Sequence, residues 1–368
     1  MEYGLSDEQR ALCDAVADVL AAHADPRMAY TDDPVCLDES LWRRLCELGL
    51  PGLAVADRYD GSGAGPIELA LVCEQMGYAV APVPLVGHAV AAEAIAVAGD
   101  SEVARTWLSA LAAGSKRATY VPDGPGIDPR PRVEVTDVDS QGGTLNGAIP
   151  LVLDAVDVDL VLVPANDGEV YAVDATTVRI DVQPSMDRTR PASSVLIEGV
   201  RAPRLGDAGR GPHIQRRAGA LLWALEAAEA VGAATWALER TQQHAVQREQ
   251  FGLPIGTFQA VKHRLADMLV AVENARSASY GAAWALAAEP GACAVNEVAM
   301  AQAFATQAAV QVVADAVQLH GGIGVTWEND LHLRLRRVKT LQLLHGSPDW
   351  HREQLAAALL DDTNVTNS

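Results

Sequence analysis

The chain has 368 residues, of which 49% are hydrophobic and only 5% aromatic, and its formal net charge is −20. This length allows one large domain or two to three packed layers around a sizeable core. The alanine-rich apolar runs favour closely spaced helices. The acidic balance argues against nucleic acid as a partner, because affinity for nucleic acid depends on Lys and Arg side chains that neutralise phosphates.

The N-terminal sequence and the cysteines indicate a soluble protein in a reducing compartment. The first residues, "MEYGLSDEQRALCDAV", are acidic and amphipathic, unlike a secretory signal. No uncharged run reaches the roughly 18 residues that cross a bilayer, so we expect no membrane span. The 5 cysteines have no CxxC spacing, which predicts free thiols rather than a disulfide framework or a zinc site. These features predict a cytoplasmic location.

In the first part of the chain, from Ser6 onward, apolar residues recur at helical spacing with Gly and Pro between the segments. Ser6 followed by Glu8 and Gln9 predicts a helix start, and a second helix is predicted to begin at or near Pro66. We therefore expect an all-helical N-terminal domain over residues 1–115.

The middle of the chain changes to short β-branched runs separated by Asp, Gly and Pro. The runs are "RVEVTDV", "VDLVLVPA", "EVYAVDA", "TTVRIDV" and "SSVLIEGV". They predict a middle β-domain over residues 116–207. Helical periodicity returns from His213 and predicts a C-terminal helical bundle over residues 208–368. The predicted fold class is therefore α+β, mostly α, in the order helices, strands, helices.

One segment, "QREQFGLPIGTFQAVKHRLADM", places Arg248, Gln250 and Phe251 before a Gly-Leu-Pro turn. As a purely structural feature it is a polar helix end, where a cation interacts favourably with the helix dipole. As a functional feature it is an arginine fork for a phosphate or pyrophosphate, with Phe251 as a flat surface for a ring. The spacing alone leaves both interpretations open.

A second segment, "QLHGGIGVTWENDLHLRLRR", places Gln318 one turn before the adjacent glycines Gly321 and Gly322. Glycines at a helix end usually form a C-cap, but they also let a backbone approach a ligand closely. Gln318 offers both a donor and an acceptor. Neither segment is a phosphate-cradling GxGxxG, so chemistry alone does not establish a nucleotide site. The nearby histidines lack a tight ligand spacing, and we expect no metal.

Together with "ELGLPGLAVADRYDGSGAGPIELALVCEQMG" near the front, these segments resemble the acyl-CoA dehydrogenase flavoproteins over nearly the whole chain. The resemblance implies N-terminal helices, a middle β-domain and a C-terminal four-helix bundle. In this family the Arg-x-Gln-Phe-Gly element of one subunit reaches across a dimer interface to the adenine and pyrophosphate of FAD, which its neighbour mainly binds. By this resemblance, the FAD-facing residues of the chain are Arg248, Gln250, Phe251, Phe258, Gln259, Gln318, Gly321 and Gly322.

The chain departs from the family on the side of the flavin ring. The family usually has a Tyr/Thr-Glu-Pro-Gly-Ala-Gly-Ser-Asp loop around the isoalloxazine, whereas this chain has "TYVPDGPGIDP", which keeps Tyr120 but little of the polar signature. The usual Trp-Ile-Thr-Asn is replaced by "NGAIPLVLDAV". We therefore expect this chain to hold the ring of FAD poorly or not at all.

The family's catalytic Glu, which removes the proton α to the thioester carbonyl, is missing from both of its usual positions. The common position falls on His345 and the alternative position on Leu222. His345 is the candidate base, but an imidazole becomes cationic when it takes a proton, so a polar residue without a chemical role is the favoured interpretation. Glu226 and Glu229 follow Leu222 on the same helix and are expected to be surface or interface charges.

An intact adenosine side, a degenerate ring side and two vacant base positions predict a shared site. The resemblance implies the supporting subunit of an α2β2 acyl-CoA dehydrogenase, similar to actinobacterial enzymes that act on bulky CoA thioesters such as steroid side chains. The implied partners are a second acyl-CoA dehydrogenase subunit, an acyl-CoA and an electron-transfer acceptor. Two alternatives stay open: a homomeric acyl-CoA or acyl-carrier-protein dehydrogenase that uses His345 or an unrecognised base, and a non-catalytic acyl-binding or scaffold protein on the same fold.

Overall fold

The computed structural model describes residues 4–31, 37–122, 132–288 and 294–365. Within these ranges the N-terminal part contains α1 (Asp7–His23), α2 (Glu39–Glu47), α3 (Pro66–Ala79), α4 (Leu85–Ala98) and α5 (Glu102–Ala112). Ser6 caps α1 in a capping box, in which its hydroxyl accepts from the Gln9 N–H and the Gln9 side chain accepts from the Ser6 N–H. Pro66 is the first residue of α3. Both predicted helix starts are confirmed.

The middle part contains two sheets. Its strands are β1 (Ala118–Tyr120), β2 (Arg132–Thr136), β3 (Gly142–Leu153), β4 (Leu160–Pro164), β5 (Val170–Asp174), β6 (Arg179–Gln183) and β7 (Ala192–Pro203). One sheet has the order β1-β4-β5 and the other has the order β2-β3-β7-β6. All five predicted runs form strands. The prediction omits β1, which has only 3 residues. It also omits β3, because glycines and a proline interrupt its β-branched pattern, yet β3 pairs with β7 along most of its length.

The C-terminal part contains a long central helix with further helices around it. The elements are α6 (Gly211–Gln247), β8 (Glu249–Gln250), β9 (Leu253–Pro254), α7 (Gln259–Ala288), α8 (Val295–His320), α9 (Leu331–Leu343) and α10 (Pro348–Val365). α6 packs against α3, α4, α7, α8 and α9. At its crossing with α3, a Cβ added to Gly232 would lie 1.8 Å from the Glu74 carbonyl oxygen, so only glycine allows this approach.

The predicted order of helices, strands and helices is confirmed, and the fold is α+β with mostly α structure. By length and hydropathy alone, α6 and the segment Val295–Val325 each resemble a membrane-spanning helix. The apolar window of α6 is 83% buried inside the protein, as in the core helix of a globular domain. The window of Val295–Val325 is only 28% buried, so α8 leaves an apolar face uncovered in the single chain.

Candidate FAD-facing surface and the site around His345

The Arg-x-Gln-Phe segment forms a tight hairpin at the end of α6. β8 and β9 pair antiparallel and leave Phe251 and Gly252 as a two-residue turn. Both turn residues have positive φ, 55° and 78°, as a type I′ turn requires. Such turns favour Asn or Gly, and a bulky residue at positive φ costs about 1–3 kcal/mol. The Phe251 side chain is 93% exposed, so the fold of this chain gains no burial in return for the strain.

Arg248 and Phe258 flank this turn and also point outward. Arg248 ends α6, and its backbone carbonyl accepts from the Ile255 N–H at 2.8 Å. Its guanidinium is exposed and forms no ion pair with any residue that the structure describes. The rings of Phe251 and Phe258 meet edge to face, with centroids 6.2 Å apart. The hairpin therefore presents a free guanidinium and an aromatic pair to its surroundings.

The second predicted segment lies at the end of α8. Gly321 ends the helix with φ 63°, and its N–H donates to the Gln318 carbonyl. The rings of His244 on α6 and His320 on α8 stack with centroids 4.3 Å apart, which places the two helix ends side by side. The structure thus brings both predicted segments to one end of the bundle. We call the exposed residues there the arm surface: Arg248, Gln250, Phe251, Phe258, Gln259, Gln318, Gly321 and Gly322.

His345 lies between α9 and α10 and is held by a buried carboxylate. Its Nδ1 is 2.9 Å from Oε1 of Glu226, and its side chain is 10% exposed. The expectation that Glu226 and Glu229 are surface or interface charges is wrong, because they are 0% and 2% exposed. Both lie in the alanine-rich "ALEAAEAVGAA", where a charge is itself a sign of a buried ionic partner.

These two glutamates belong to a buried group that we call the charged cluster: Asp154, Asp187, Arg190, Glu226, Glu229 and Arg337. The Arg190 guanidinium donates to Oδ2 of Asp154 at 2.6 Å and to Oε2 of Glu229 at 3.0 Å. Its Nη1 is also 3.6 Å from Oε1 of Glu226. Arg190 therefore ties the middle β-domain to α6.

Arg337 on α9 completes the charged cluster. Its Nε donates to Oδ2 of Asp187 at 2.5 Å, its Nη2 donates to Oγ1 of Thr189 at 2.7 Å, and its Nη1 pairs with Glu229. Burial raises the pKa of Glu229, against the opposing attraction of Arg337 and Arg190. Burying charges is favourable only when each one is paired and hydrogen-bonded, which this arrangement achieves. The sequence does not reveal the cluster, because its members are distant along the chain.

An apolar cavity of about 230 Å³ opens where β3, β7 and α9 meet. Its walls include Leu151 and Leu153 of β3, Leu343 of α9 and Leu344, which follows that helix. The two β3 leucines belong to the segment that replaces the family's Trp-Ile-Thr-Asn, so carbon atoms stand where that motif offers hydrogen-bond donors. Ligand pockets usually measure about 300–1,000 Å³, and this cavity is smaller. In the other predicted ring segment, residues 123–131 lie outside the described residues, while Tyr120 is buried in β1.

The alternative base position carries no ionisable group. Leu222 is 4% exposed on α6. The ring of the adjacent Trp223 meets the rings of His351 and Trp350 edge on, at centroid distances of 4.9 and 5.8 Å. Aromatic side chains therefore cover this part of α6.

The arm surface and His345 lie far apart in one chain. Glu226, which contacts His345, lies within α6, and Arg248 lies at the C-terminal end of the same helix. A rise of 1.5 Å per residue separates them by about 33 Å. This is farther than one extended FAD molecule spans, so the arm surface cannot serve the His345 site of its own chain.

Comparison with known protein families shows the family of this chain. Residues 6–115 match the acyl-CoA dehydrogenase N-terminal domain, and residues 224–360 match the acyl-CoA dehydrogenase C-terminal domain. The chain belongs to the acyl-CoA dehydrogenase family. Members of this family are FAD-binding oxidoreductases that act on the CH–CH group of acyl-CoA. The resemblance and the enzyme class predicted from the sequence are confirmed.

Individual relatives match over nearly the whole chain. Acyl-CoA dehydrogenase IpdE2 of Mycolicibacterium smegmatis is 33% identical over 354 residues, 95% of this chain and 97% of that protein. A chain of the Tcur3481-Tcur3483 steroid ACAD is 29% identical with a TM-score of 0.86, over 97% of this chain and 99% of that one. A chain of the ChsE4-ChsE5 complex from Mycobacterium tuberculosis is 25% identical with a TM-score of 0.87, and the match covers 98% of this chain and 99% of that one.

The residues of this chain fit only part of FAD. The arm surface suits the adenosine diphosphate part, because a free guanidinium binds phosphate and the exposed rings of Phe251 and Phe258 can stack on adenine. The lining of the cavity beside β3 is mostly apolar and offers few hydrogen-bonding groups for the polar edge of a flavin ring. No residue of the charged cluster lines that cavity.

Proposed function

We propose that this chain is the supporting subunit of an α2β2 acyl-CoA dehydrogenase. Its arm surface holds the adenine and pyrophosphate of an FAD molecule that is seated in a different, partner subunit. The observation that carries the proposal is the exposed, strained Phe251 beside the free Arg248, which lies about 33 Å along the helix axis from Glu226, the partner of His345. A residue that strains the fold and faces solvent is explained by a contact outside the chain.

The partner subunit supplies the ring pocket and the catalytic carboxylate. In this chain Glu226 is engaged by His345, and Glu229 is engaged by Arg190 and Arg337, so neither is free to remove a substrate proton. A bound FAD would supply the acceptor for the hydride from the β carbon, while the partner's carboxylate would take the proton from the α carbon. The role of this chain is to fix the adenosine end of the cofactor and to complete the assembly.

The proposed substrate is a bulky CoA thioester, such as one with a steroid side chain. The similarity to a protein described as a steroid ACAD and to the two-component ChsE4-ChsE5 complex supports both the substrate class and the heteromeric assembly. The enzyme would pass electrons to an electron-transfer acceptor in the cytoplasm.

The test uses the tagged chain isolated with its partner from the host cell. We expect Arg248→Ala to weaken FAD retention by about 10- to 100-fold, because a charge-assisted phosphate contact is lost. Glu249→Ala, a change in the same hairpin, is the matched control and should retain FAD. Equal FAD retention in Arg248→Ala and the unmodified complex would contradict the proposal.

A second candidate function, a homomeric dehydrogenase that uses His345 as its base, is favoured by the His345–Glu226 pair. A carboxylate that accepts from Nδ1–H leaves Nε2 of the imidazole as a proton acceptor. His345→Ala separates the two candidates. A homomer should lose about 100- to 10,000-fold in rate, whereas the activity of a heteromer should change by less than about twofold.

A further inference from the structure

The stacked pair of His244 and His320 connects the two halves of the arm surface. Their centroids are 4.3 Å apart and their planes differ by 18°. The two rings line one end of a polar cavity of about 220 Å³, together with Trp236 and Arg240. His320 is buried and His244 is half-buried, so this contact lies behind the arm surface rather than on it.

Each histidine belongs to the stretch of backbone that carries one half of the arm surface. The His244 carbonyl accepts the Arg248 N–H at 2.8 Å, which fixes the point where the chain leaves α6. His320 directly precedes Gly321, and a Cβ added to Gly324 would lie 3.0 Å from the Cβ of His320. The contact between the two rings therefore joins the backbone that carries Arg248 to the backbone that carries Gly321.

We propose that His244 and His320 are positioning residues, whose stacked neutral rings hold the two halves of the arm surface in register for FAD. Protonation of the rings separates them and releases the cofactor. This inference rests on the proposed function, because it assigns FAD to the arm surface. It adds a pair of residues that act through Arg248 and the Gly321–Gly322 backbone without touching the cofactor.

The tautomer of His320 follows from its hydrogen bond. Its Nδ1 lies 2.8 Å from the carbonyl oxygen of Ala316, and a carbonyl oxygen only accepts, so Nδ1 carries the hydrogen. Acid therefore adds a proton at Nε2. Two imidazolium rings at stacking distance repel each other, so the stacked arrangement is stable only while at least one ring is neutral.

The charges around the pair favour the neutral rings. Burial lowers the pKa of His244, and His320 and Arg248 lower it further. Burial also lowers the pKa of His320; the Ala316 carbonyl opposes this, and Arg240 adds to it.

Other charged groups face the cavity or lie behind it. Glu328 and Asp330 line the wall before α9, and Asp330 accepts from Arg27 at 2.8 Å. The guanidinium of Arg334 on α9 lies over the Trp236 ring, 3.7 Å from its centroid. On α7 and α8, Arg264 is paired with Asp315.

The sign of the pH dependence follows from the lowered pKa values of the two histidines. FAD is held above about pH 6.5, the usual pKa of histidine, and the affinity for FAD falls as the pH drops below that value.

The test measures FAD release from the purified complex by flavin fluorescence between about pH 7.5 and about pH 5.5, a range that spans histidine titration. His244→Phe keeps a stacking ring without a titrating group, so it should retain FAD at the higher pH and lose less of it in acid. His244→Ala should weaken FAD binding by about 2- to 10-fold even at the higher pH, as expected for loss of an aromatic pair. His213→Ala, on the same helix but distant from the pair, is the matched control.

The outcomes distinguish failure of the histidine pair as a positioning device from failure of the proposed function. If His244→Phe and His244→Ala both keep the pH profile of the unmodified complex, the pair does not position the arm surface and the inference is wrong. If Arg248→Ala also leaves FAD retention unchanged, the proposed function itself fails. If His244→Ala does not fold, which circular dichroism will show, the altered pH profile of His244→Phe decides alone.

Discussion

Phe251 occupies a backbone conformation that suits its residue type poorly. The sequence shows that Phe251 follows Arg248 closely along the chain. It does not show that the phenylalanine has a φ of 55° in a two-residue turn. The same turn built with Asn-Gly would be unstrained. The cost of the phenylalanine to the isolated chain is offset only if its ring contacts something that the isolated chain lacks.

We therefore predict that Phe251→Asn stabilises the chain and weakens the complex. The free energy of unfolding in urea should rise by about 1 kcal/mol, the lower end of the strain expected at positive φ. FAD retention by the complex should fall, because the flat surface for adenine is removed. Leu253→Asn in the same hairpin is the control and should not raise stability. Lower stability in Phe251→Asn would show that the ring supports the fold.

At the scale of elements, the charged cluster locks α6, α9 and the middle β-domain together. Asp154 follows β3, Asp187 and Arg190 precede β7, and Glu229 and Arg337 lie on α6 and α9. Because its members come from three parts of the chain and are all buried, the network gives these elements one fixed arrangement.

The second prediction concerns the centre of this network. Glu229→Gln should lower the free energy of unfolding by about 3–5 kcal/mol, because it leaves two buried guanidiniums without part of their counter-charge. Glu249→Gln, an exposed change, should alter it by less than about 0.5 kcal/mol. Urea unfolding followed by circular dichroism measures both. A change of similar size in the two variants would contradict a structural role for the cluster.

The sequence predicts elements better than it predicts contacts between them. The capping box at Ser6 and the helix start at Pro66 are local signals, and both are found in the structure. The helical period places Glu226 and Glu229 on one face of α6 but does not show which element covers that face. Their partner Arg190 lies in the strand-rich middle part of the chain, so its contacts depend on the whole fold.

The stacked histidines and the strained turn could not be predicted for the same reason. His244 and His320 are 76 residues apart along the chain, and their stacking follows from how α6 and α8 pack. The positive φ of Phe251 follows from the pairing of β8 with β9. The roles of Arg248 and the residues around it remain predictions drawn from the family resemblance.

For the whole molecule, α7 and α8 leave a broad apolar face open. Trp284 on α7 is 50% exposed, and Met300 and Phe304 on α8 are 52% and 42% exposed. Phe304, Gln311 and Gln318 recur on the exposed side of α8, so the side that carries the apolar face leads into the arm surface. Exposed apolar patches of this kind mark interaction sites. We expect the subunit that receives the arm to cover this face.

The third prediction follows from that face. Phe304→Glu should dissociate the assembly, because it buries a charge in an apolar interface. Val182→Glu, which also replaces an exposed apolar residue but lies on β6, should leave the assembly intact. Size-exclusion chromatography with light scattering measures both. An intact assembly in Phe304→Glu would show that this face does not contact the partner.

The most direct test of the central claim is native mass spectrometry with flavin quantitation on the tagged chain isolated from its own host. We predict a heterotetramer of two copies of this chain and two copies of a second acyl-CoA dehydrogenase subunit, with one FAD for each unlike pair. A homo-oligomer with one FAD per chain would contradict the account and make His345 the first candidate for the base. An assembly without FAD would instead support a non-catalytic protein on this fold.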